Sequence, residues 1–246
     1  MGETTKISWT DHTFNGWIGC TKVSPGCDNC YAETLNSRWG KDNWGKGKPR
    51  RTTADSNWHQ PLKWDREAAD QGIKAKVFCG SLCDVMDDES PHGMRERLWA
   101  LIDHTPNLIW QLLTKRPHRY ERYLPYRFVH DNVWLGTSAE NQQFYDARWP
   151  ILGKMRERCA AVFISYEPAL GPVRMTGIGI GFPDWIIFGG ESGNERRPME
   201  QKWAEDIKAE CELAGARFFM KQMSARTPEE GSKLIPAHLL VRQYPE

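Results

Sequence analysis

The feature that most restricts this chain is a series of six short apolar runs: Lys76–Gly80, Asn107–Leu113, Asn132–Gly136, Ala161–Ser165, Asp184–Gly189 and Ala216–Met220. Each is continuous rather than alternating, rich in β-branched and aromatic residues, and too short for a buried helix. Strands covered on both faces read this way, so the runs predict buried parallel strands. A seventh strand is expected near Thr13–Ile18. Polar or glycine residues and then an amphipathic or charged stretch separate the runs. His92–His104 sets Met94, Leu98, Leu101 and Ile102 on one helical face, and Met199–Ala214 does the same with Trp203, Ile207, Cys211 and Ala214 before a stop at Gly215. Ala139–Arg158 is helical in pattern, with a break or restart expected at Pro150. Glu167–Pro183, rich in Pro and Gly, reads as a loop crossing. This alternation implies an α/β fold, and two architectures satisfy it: a partial or distorted (β/α) barrel of six to seven parallel strands, and a doubly wound sheet.

Both architectures place ligands beyond the carboxyl ends of the strands. In strand order the residues there are Ser81 and Asp84; Thr114, Lys115 and Arg116; Thr137, Ser138, Glu140 and Asn141; Ser165 and Glu167; Gly190, Glu191 and Ser192; and Lys221 and Gln222. A polar loop at any one strand end is ordinary. Six in succession describe a ligand-binding rim.

The chain has seven cysteines and no run of 18 apolar residues, and its first residues lack the basic-then-apolar layout of a signal peptide. A cytoplasmic protein with no membrane span is expected, in a compartment where disulfides are disfavoured. The cysteines therefore need another explanation, and three of them share one loop. Gly19–Glu33 carries Cys20, Cys27 and Cys30 in a C-x6-C-x2-C spacing. The two-residue spacer lets Cys27 and Cys30 converge, Pro25-Gly26 supplies a turn that brings Cys20 round, and a helix starting near Asn29 would direct orphan N–H groups at negative charge. Three readings stand beside each other. A zinc site would recruit a fourth ligand from His12, His59 or Cys79. A redox pair would use Cys27 and Cys30. A four-iron four-sulfur cluster with three cysteine ligands would keep one iron open. Cys79 and Cys83, like Cys159 and Cys211, read as core thiols.

The loop resembles the cluster-binding loop of the radical S-adenosylmethionine superfamily. More narrowly, the chain resembles an uncharacterised phage and bacterial family known for a three-Cys motif. That narrower resemblance runs through Trp17–Glu33, Leu113–Pro117, Gly136–Asn141, Ser165–Pro168, Gly189–Gly193 and Phe219–Gln222. It implies a partial (β/α) barrel, with Cys20, Cys27 and Cys30 on three irons of a 4Fe-4S cluster and S-adenosyl-L-methionine on the fourth. It further implies an external electron donor and a 5′-deoxyadenosyl radical that abstracts hydrogen from substrate. The sequence departs from the common superfamily pattern in its first gap of six residues and in the late position of Gly189-Gly190-Glu191. Ser81, Asp84, Thr114, Thr137 and Ser138 are accordingly assigned to S-adenosylmethionine. Glu167, Glu191, Lys221 and Gln222 are assigned to substrate contact or proton transfer.

The balance of 33 Lys and Arg against 32 Asp and Glu excludes a globally basic nucleic-acid binder, but the charge is not evenly spread. Residues 38–51 hold Arg38, Lys41, Lys46, Lys48, Arg50 and Arg51 with Trp39 and Trp44 among them. Cations that neutralise phosphates beside rings that stack on bases describe a nucleic-acid-binding segment, and a solvated basic loop is the plain alternative. The chain is read as one α/β domain, 1–246, with a basic Trp/Gly-rich insertion at about 38–75. The function expected is a radical enzyme that modifies a nucleotide, a nucleic-acid base of DNA or RNA, or a related metabolite. The alternative is a zinc-stabilised nucleic-acid-binding or nuclease-like protein.

Overall fold

A computed structural model describes residues 5–126, 128–177 and 179–246; the leader reading of the first four residues lies outside them. In chain order the strands are β1 (His12–Phe14), β2 (Trp17–Ile18), β3 (Arg51–Thr52), β4 (Ala75–Cys79), β5 (Leu108–Thr114), β6 (His130–Ser138), β7 (Cys159–Tyr166), β8 (Trp185–Gly189) and β9 (Arg217–Gln222). The helices are α1 (Tyr31–Arg38), α2 (Asp55–Gln71), α3 (Met94–Asp103), α4 (Tyr120–Tyr123), α5 (Gln142–Gly153), α6 (Gln201–Ala214) and α7 (Pro228–Lys233). Seven strands form one all-parallel sheet in the order β1-β4-β5-β6-β7-β8-β9. The sheet curls into a partial (β/α) barrel whose edge strands, β1 and β9, do not pair. Among the described residues no helix is long and apolar enough to cross a membrane.

Alternation along each strand divides the core in two. Val77, Leu112, Leu135, Val162, Ile164, Ile186, Phe188 and Phe218 face outward and pack with the helices. Their neighbours Phe78, Trp134, Phe163, Trp185, Ile187 and Phe219 form a second cluster inside the barrel, with Trp9 from the segment before β1. Trp185 sits edge-on to Trp134 with ring centroids 5.6 Å apart. Phe163 reaches across to β6, where a Cβ at position 136 would lie 2.3 Å from its ring, so only glycine fits at Gly136. This aromatic plug closes the amino end of the barrel and leaves the carboxyl end for the polar rim.

Three expectations change. The region near Thr13–Ile18 holds two short strands: β1 joins the barrel, while β2 pairs antiparallel with β3 in a separate ribbon. Helix α5 continues through Pro150 to Gly153. Pro150 and Asp146 are both exposed, so the carbonyl that loses its N–H partner to the proline is free to bond water. The segment read as an insertion contains the 17-residue helix α2, which buries Trp58, Trp64 and Ala68 at helical spacing against the barrel. The Glu167–Pro183 crossing carries no helix or strand among the described residues.

Candidate active site

The three-cysteine loop crosses the carboxyl mouth of the barrel. Its first residue, Gly19, bridges in parallel to Cys83 beyond β4, and Pro25–Cys27 form one 3-10 turn. Cys30 then caps helix α1. The Cys27 thiol lies 3.8 Å from the Ser24 hydroxyl. Burial pushes the Cys30 thiol up from its ordinary value, against the pull of the backbone N–H groups of Glu33 and Ala32. Burial, with the nearby Asp84 charge, pushes the Cys20 thiol up to about 12. Opposing that push, the Arg116 guanidinium donates to Cys20 Sγ over 3.7 Å.

Three buried carboxylates pin this loop, from the exits of β4, β6 and β8, and each is paired with an arginine. Asp84 accepts from Arg116 Nη1 at 2.7 Å, and the same arginine donates to the Thr21 carbonyl at 2.6 Å. Glu140, fully buried, accepts from Arg148 at 2.9 Å and from the Ser24 hydroxyl at 2.7 Å. A Cβ at position 26 would lie 2.4 Å from the Glu140 carboxylate, so Gly26 is what lets the loop rest on it. Glu191 accepts from Arg197 Nη2 at 2.6 Å and Nε at 3.0 Å, from the Arg197 backbone N–H at 2.7 Å, and from Asn29 at 3.0 Å. Arg197 also donates to Asp28 and to the Pro25 carbonyl. Burial raises the Glu191 pKa, but the Arg197 and Asn29 donors outweigh it and leave the carboxyl below its ordinary value.

The sequence-derived site residues divide accordingly. Thr114 donates to Asp84, and Thr137 donates to the Thr114 carbonyl; both are buried and committed to the frame, as is Asp84. Glu191 belongs to the loop's support. Ser81 accepts from Asn15 at 2.9 Å, and Ser138 accepts from the Lys115 ammonium at 3.2 Å. Glu167 and Lys221 form an ion pair in register with the inward-facing residues Phe163 and Phe219. Between Phe188–Met220 and Gly189–Gln222 the pairing of β8 with β9 shifts by one residue, so Lys221 is an extra residue on β9. Bulges of this kind re-aim a side chain, and here the ammonium is turned onto Glu167. Gln222 is buried and donates to the Gly190 carbonyl.

Tyr31, which sequence reasoning passed over, belongs with this group. It directly follows Cys30, and its hydroxyl donates to the Ser81 carbonyl at 2.6 Å. Burial raises the phenol's pKa, with the Cys30 and Glu167 charges adding to it, while the ring keeps 56% of its surface accessible. The signal available in sequence was its adjacency to the third cysteine.

The basic segment is more structured than its composition implies. Arg50 has no exposed side-chain surface; it donates to Asp87, Glu89 and Thr21 and to the carbonyls of Asn43, Gly45 and Lys48. Trp44 packs with Ile18, Ala32 and Leu82. These two hold the segment against the cysteine loop, and their burial removes them from a nucleic-acid-facing set. Arg38, Trp39, Lys41, Lys46 and Arg51 are exposed, and Lys48 pairs with Asp42. The zinc ligands expected elsewhere are not gathered at the loop. His12 stacks on Trp64, His59 lies on an exposed face of α2, and Cys79 is buried on the helix side of β4. Among the described residues no three His, Cys, Asp or Glu side chains are placed to hold one metal ion.

A family model described as a protein of unknown function (DUF5131) matches residues 4–239. No curated protein matches the sequence. Among solved structures, spore photoproduct lyase complexed with dinucleoside spore photoproduct matches with a TM-score of 0.53 at 13% identity, over 86% of this chain and 63% of the lyase. A mutant of that lyase with bound AdoMet and dinucleoside spore photoproduct matches with a TM-score of 0.51, also at 13% identity and over 86% and 63% of the two chains. This chain thus spans less than two thirds of the lyase, and at this identity the likeness is one of fold.

Proposed function

The chain belongs to the family of proteins of unknown function (DUF5131) matched over residues 4–239, and we propose that it is a radical S-adenosylmethionine enzyme acting on a nucleotide or nucleic-acid base. The observation that carries the reading is a loop bearing three free cysteines, held across the mouth of a partial (β/α) barrel by three carboxylate–arginine pairs. The likeness of fold to a lyase described with bound AdoMet supports it.

The donor set fits a 4Fe-4S cluster. Three free thiols are available on one loop, one for each of three irons in such a cluster. The amide N–H groups of Ala32 and Glu33 and the Arg116 guanidinium are placed to stabilise thiolate charge. Cys20, Cys27 and Cys30 would hold the cluster. With a reductant, it would supply one-electron cleavage of the S-adenosylmethionine sulfonium to methionine and a 5′-deoxyadenosyl radical.

The chain's own residues bind, orient and exclude water. Ser81 is the assigned hydroxyl that keeps some exposure, and we place it against S-adenosylmethionine together with the buried Ser138, which accepts from Lys115. Tyr31 ties the loop to the barrel through its hydrogen bond to the Ser81 carbonyl. Glu167 and Lys221 are the acid and the amine left for substrate, able to exchange a proton with a group that enters between them. An external one-electron donor is required. Anaerobic reconstitution with iron and sulfide should give a brown protein with about four irons per chain that releases 5′-deoxyadenosine from S-adenosylmethionine when reduced. A colourless, zinc-loaded protein that leaves S-adenosylmethionine intact would overturn the proposal.

A further inference from the structure

The partial barrel leaves a seam between its edge strands, and a cavity of about 310 Å³ lies beside the β9 edge. Its walls include Lys6 and Ser8 from the segment before β1, Lys221 and Gln222 from β9, and Ser232 and Lys233 from α7. Of these three ammonium groups, Lys6 lies 3.7 Å from the exposed Glu229 and Lys221 is paired with Glu167. Lys233 makes no ion pair among the described residues. Ser232 already accepts from Arg242, which adds a fourth cation at the edge.

Gln222 supplies an independent sign of a ligand. It is 1% exposed and its amide nitrogen donates to Gly190, yet its side-chain carbonyl oxygen is buried without a donor among the described residues. A buried acceptor left unpaired is destabilising, and a ligand that brings a donor relieves it. Lys221 connects the cavity to the barrel, because it lines the cavity while its ammonium rests on Glu167. A molecule held at the seam is therefore one side chain from the candidate active site.

An anion with hydrogen-bond donors fits these walls. A nucleotide offers both: phosphate oxygens for the lysines, and hydroxyl or amine hydrogens for Gln222. The volume is at the lower end of small-ligand sites and suits part of one nucleotide. We propose that the seam cavity anchors a phosphate of a nucleotide-type substrate and so presents its sugar and base to the barrel mouth. The inference rests on the nucleotide reading given under Proposed function and adds the place where the phosphate binds.

The test is equilibrium binding by calorimetry to the full chain, with thymidine 5′-monophosphate, thymidine, inorganic phosphate and hexathymidylate as probes. The monophosphate should bind at least about tenfold more tightly than thymidine or inorganic phosphate. Lys233→Ala should weaken it by about tenfold, and Lys233→Arg should restore most of the loss. Tighter binding of hexathymidylate assigns the phosphate to a strand, and equal binding assigns it to a free nucleotide; either supports the anchor. Equal affinity for thymidine and its monophosphate, inorganic phosphate binding as tightly as the monophosphate, or an unchanged Lys233→Ala would overturn it. The measurement needs neither cluster nor S-adenosylmethionine. A zinc-loaded protein that still binds the monophosphate leaves the anchor standing, and an active enzyme that ignores the phosphate removes the anchor alone.

Discussion

Glu167 and Glu191 leave neighbouring strands at the same end of the same barrel, and by sequence they are the same kind of residue. Their surroundings differ. Glu191 has its oxygens filled by Arg197 and Asn29 and is tied through them to the cysteine loop. Among the described residues Glu167 has Lys221 alone, a partner delivered by a bulge and itself partly accessible. Hydrogen-bond saturation, not position on the rim, separates a carboxylate that holds the site together from one left for substrate. Asp84 and Glu140 fall with Glu191, each closed by its arginine.

The largest expected effect tests the loop that the saturated side supports. Cys30→Ala should remove bound iron and abolish S-adenosylmethionine cleavage. The far-ultraviolet circular dichroism should stay near that of the parent, since the barrel core lies beneath the loop and is packed independently of it. Loss of folded structure in this variant would show that the loop is part of the barrel's stability instead.

Next in size is the open side. Glu167→Gln keeps the shape and removes the charge. If Glu167 moves a proton, product formation should fall by roughly 10²–10⁴-fold, with iron content and the electron paramagnetic resonance signal of the reduced cluster unchanged. A variant that instead loses iron would place Glu167 with Glu191, and the comparison would fail.

Most of the barrel was legible because its strands are buried on both faces, which writes them as unbroken apolar runs. All six proposed runs became strands, with no end moved by more than two residues. The cysteine loop was legible because its spacing is short and chemically specific. Helix α2 was missed because Pro61 interrupts its pattern and a Gly- and Lys-rich stretch precedes it, which together masked the periodicity of Trp58, Trp64 and Ala68. The division of the rim could not be read at all. Arg197 and Glu191 are six residues apart, but their common target, residues 25–29, is more than 160 residues away, and only the fold brings the two together. Trp44 and Arg50 show the same limit: composition registers a cation and a ring, and burial decides their use.

A third experiment probes the saturated side without chemistry. Glu140→Ala leaves the Arg148 guanidinium buried without its carboxylate, which typically costs about 3–5 kcal/mol, and it also frees Ser24. Denaturant unfolding should show the loss. Glu167→Ala, at a partly accessible pair, should cost well under that amount. Equal losses would mean that both pairs are structural.

The smallest effect separates Glu191 from an ordinary surface carboxylate by its response to acid. Its folded pKa lies below the ordinary value, which the unfolded chain recovers, so between those values the unfolded state binds more protons and stability rises with pH. The contribution is complete above the ordinary carboxylate range and is lost as pH falls through the depressed folded value. Glu191→Gln cannot titrate and lacks the charge paired with Arg197. It should therefore unfold at lower temperature than the parent near neutral pH, and that deficit should narrow as pH drops through the low carboxylate range, where the parent's Glu191 takes up its proton. A deficit that stays constant across the range would mean that Arg197 and Asn29 hold this side chain by neutral hydrogen bonds alone, and the electrostatic half of the clamp would have to be withdrawn.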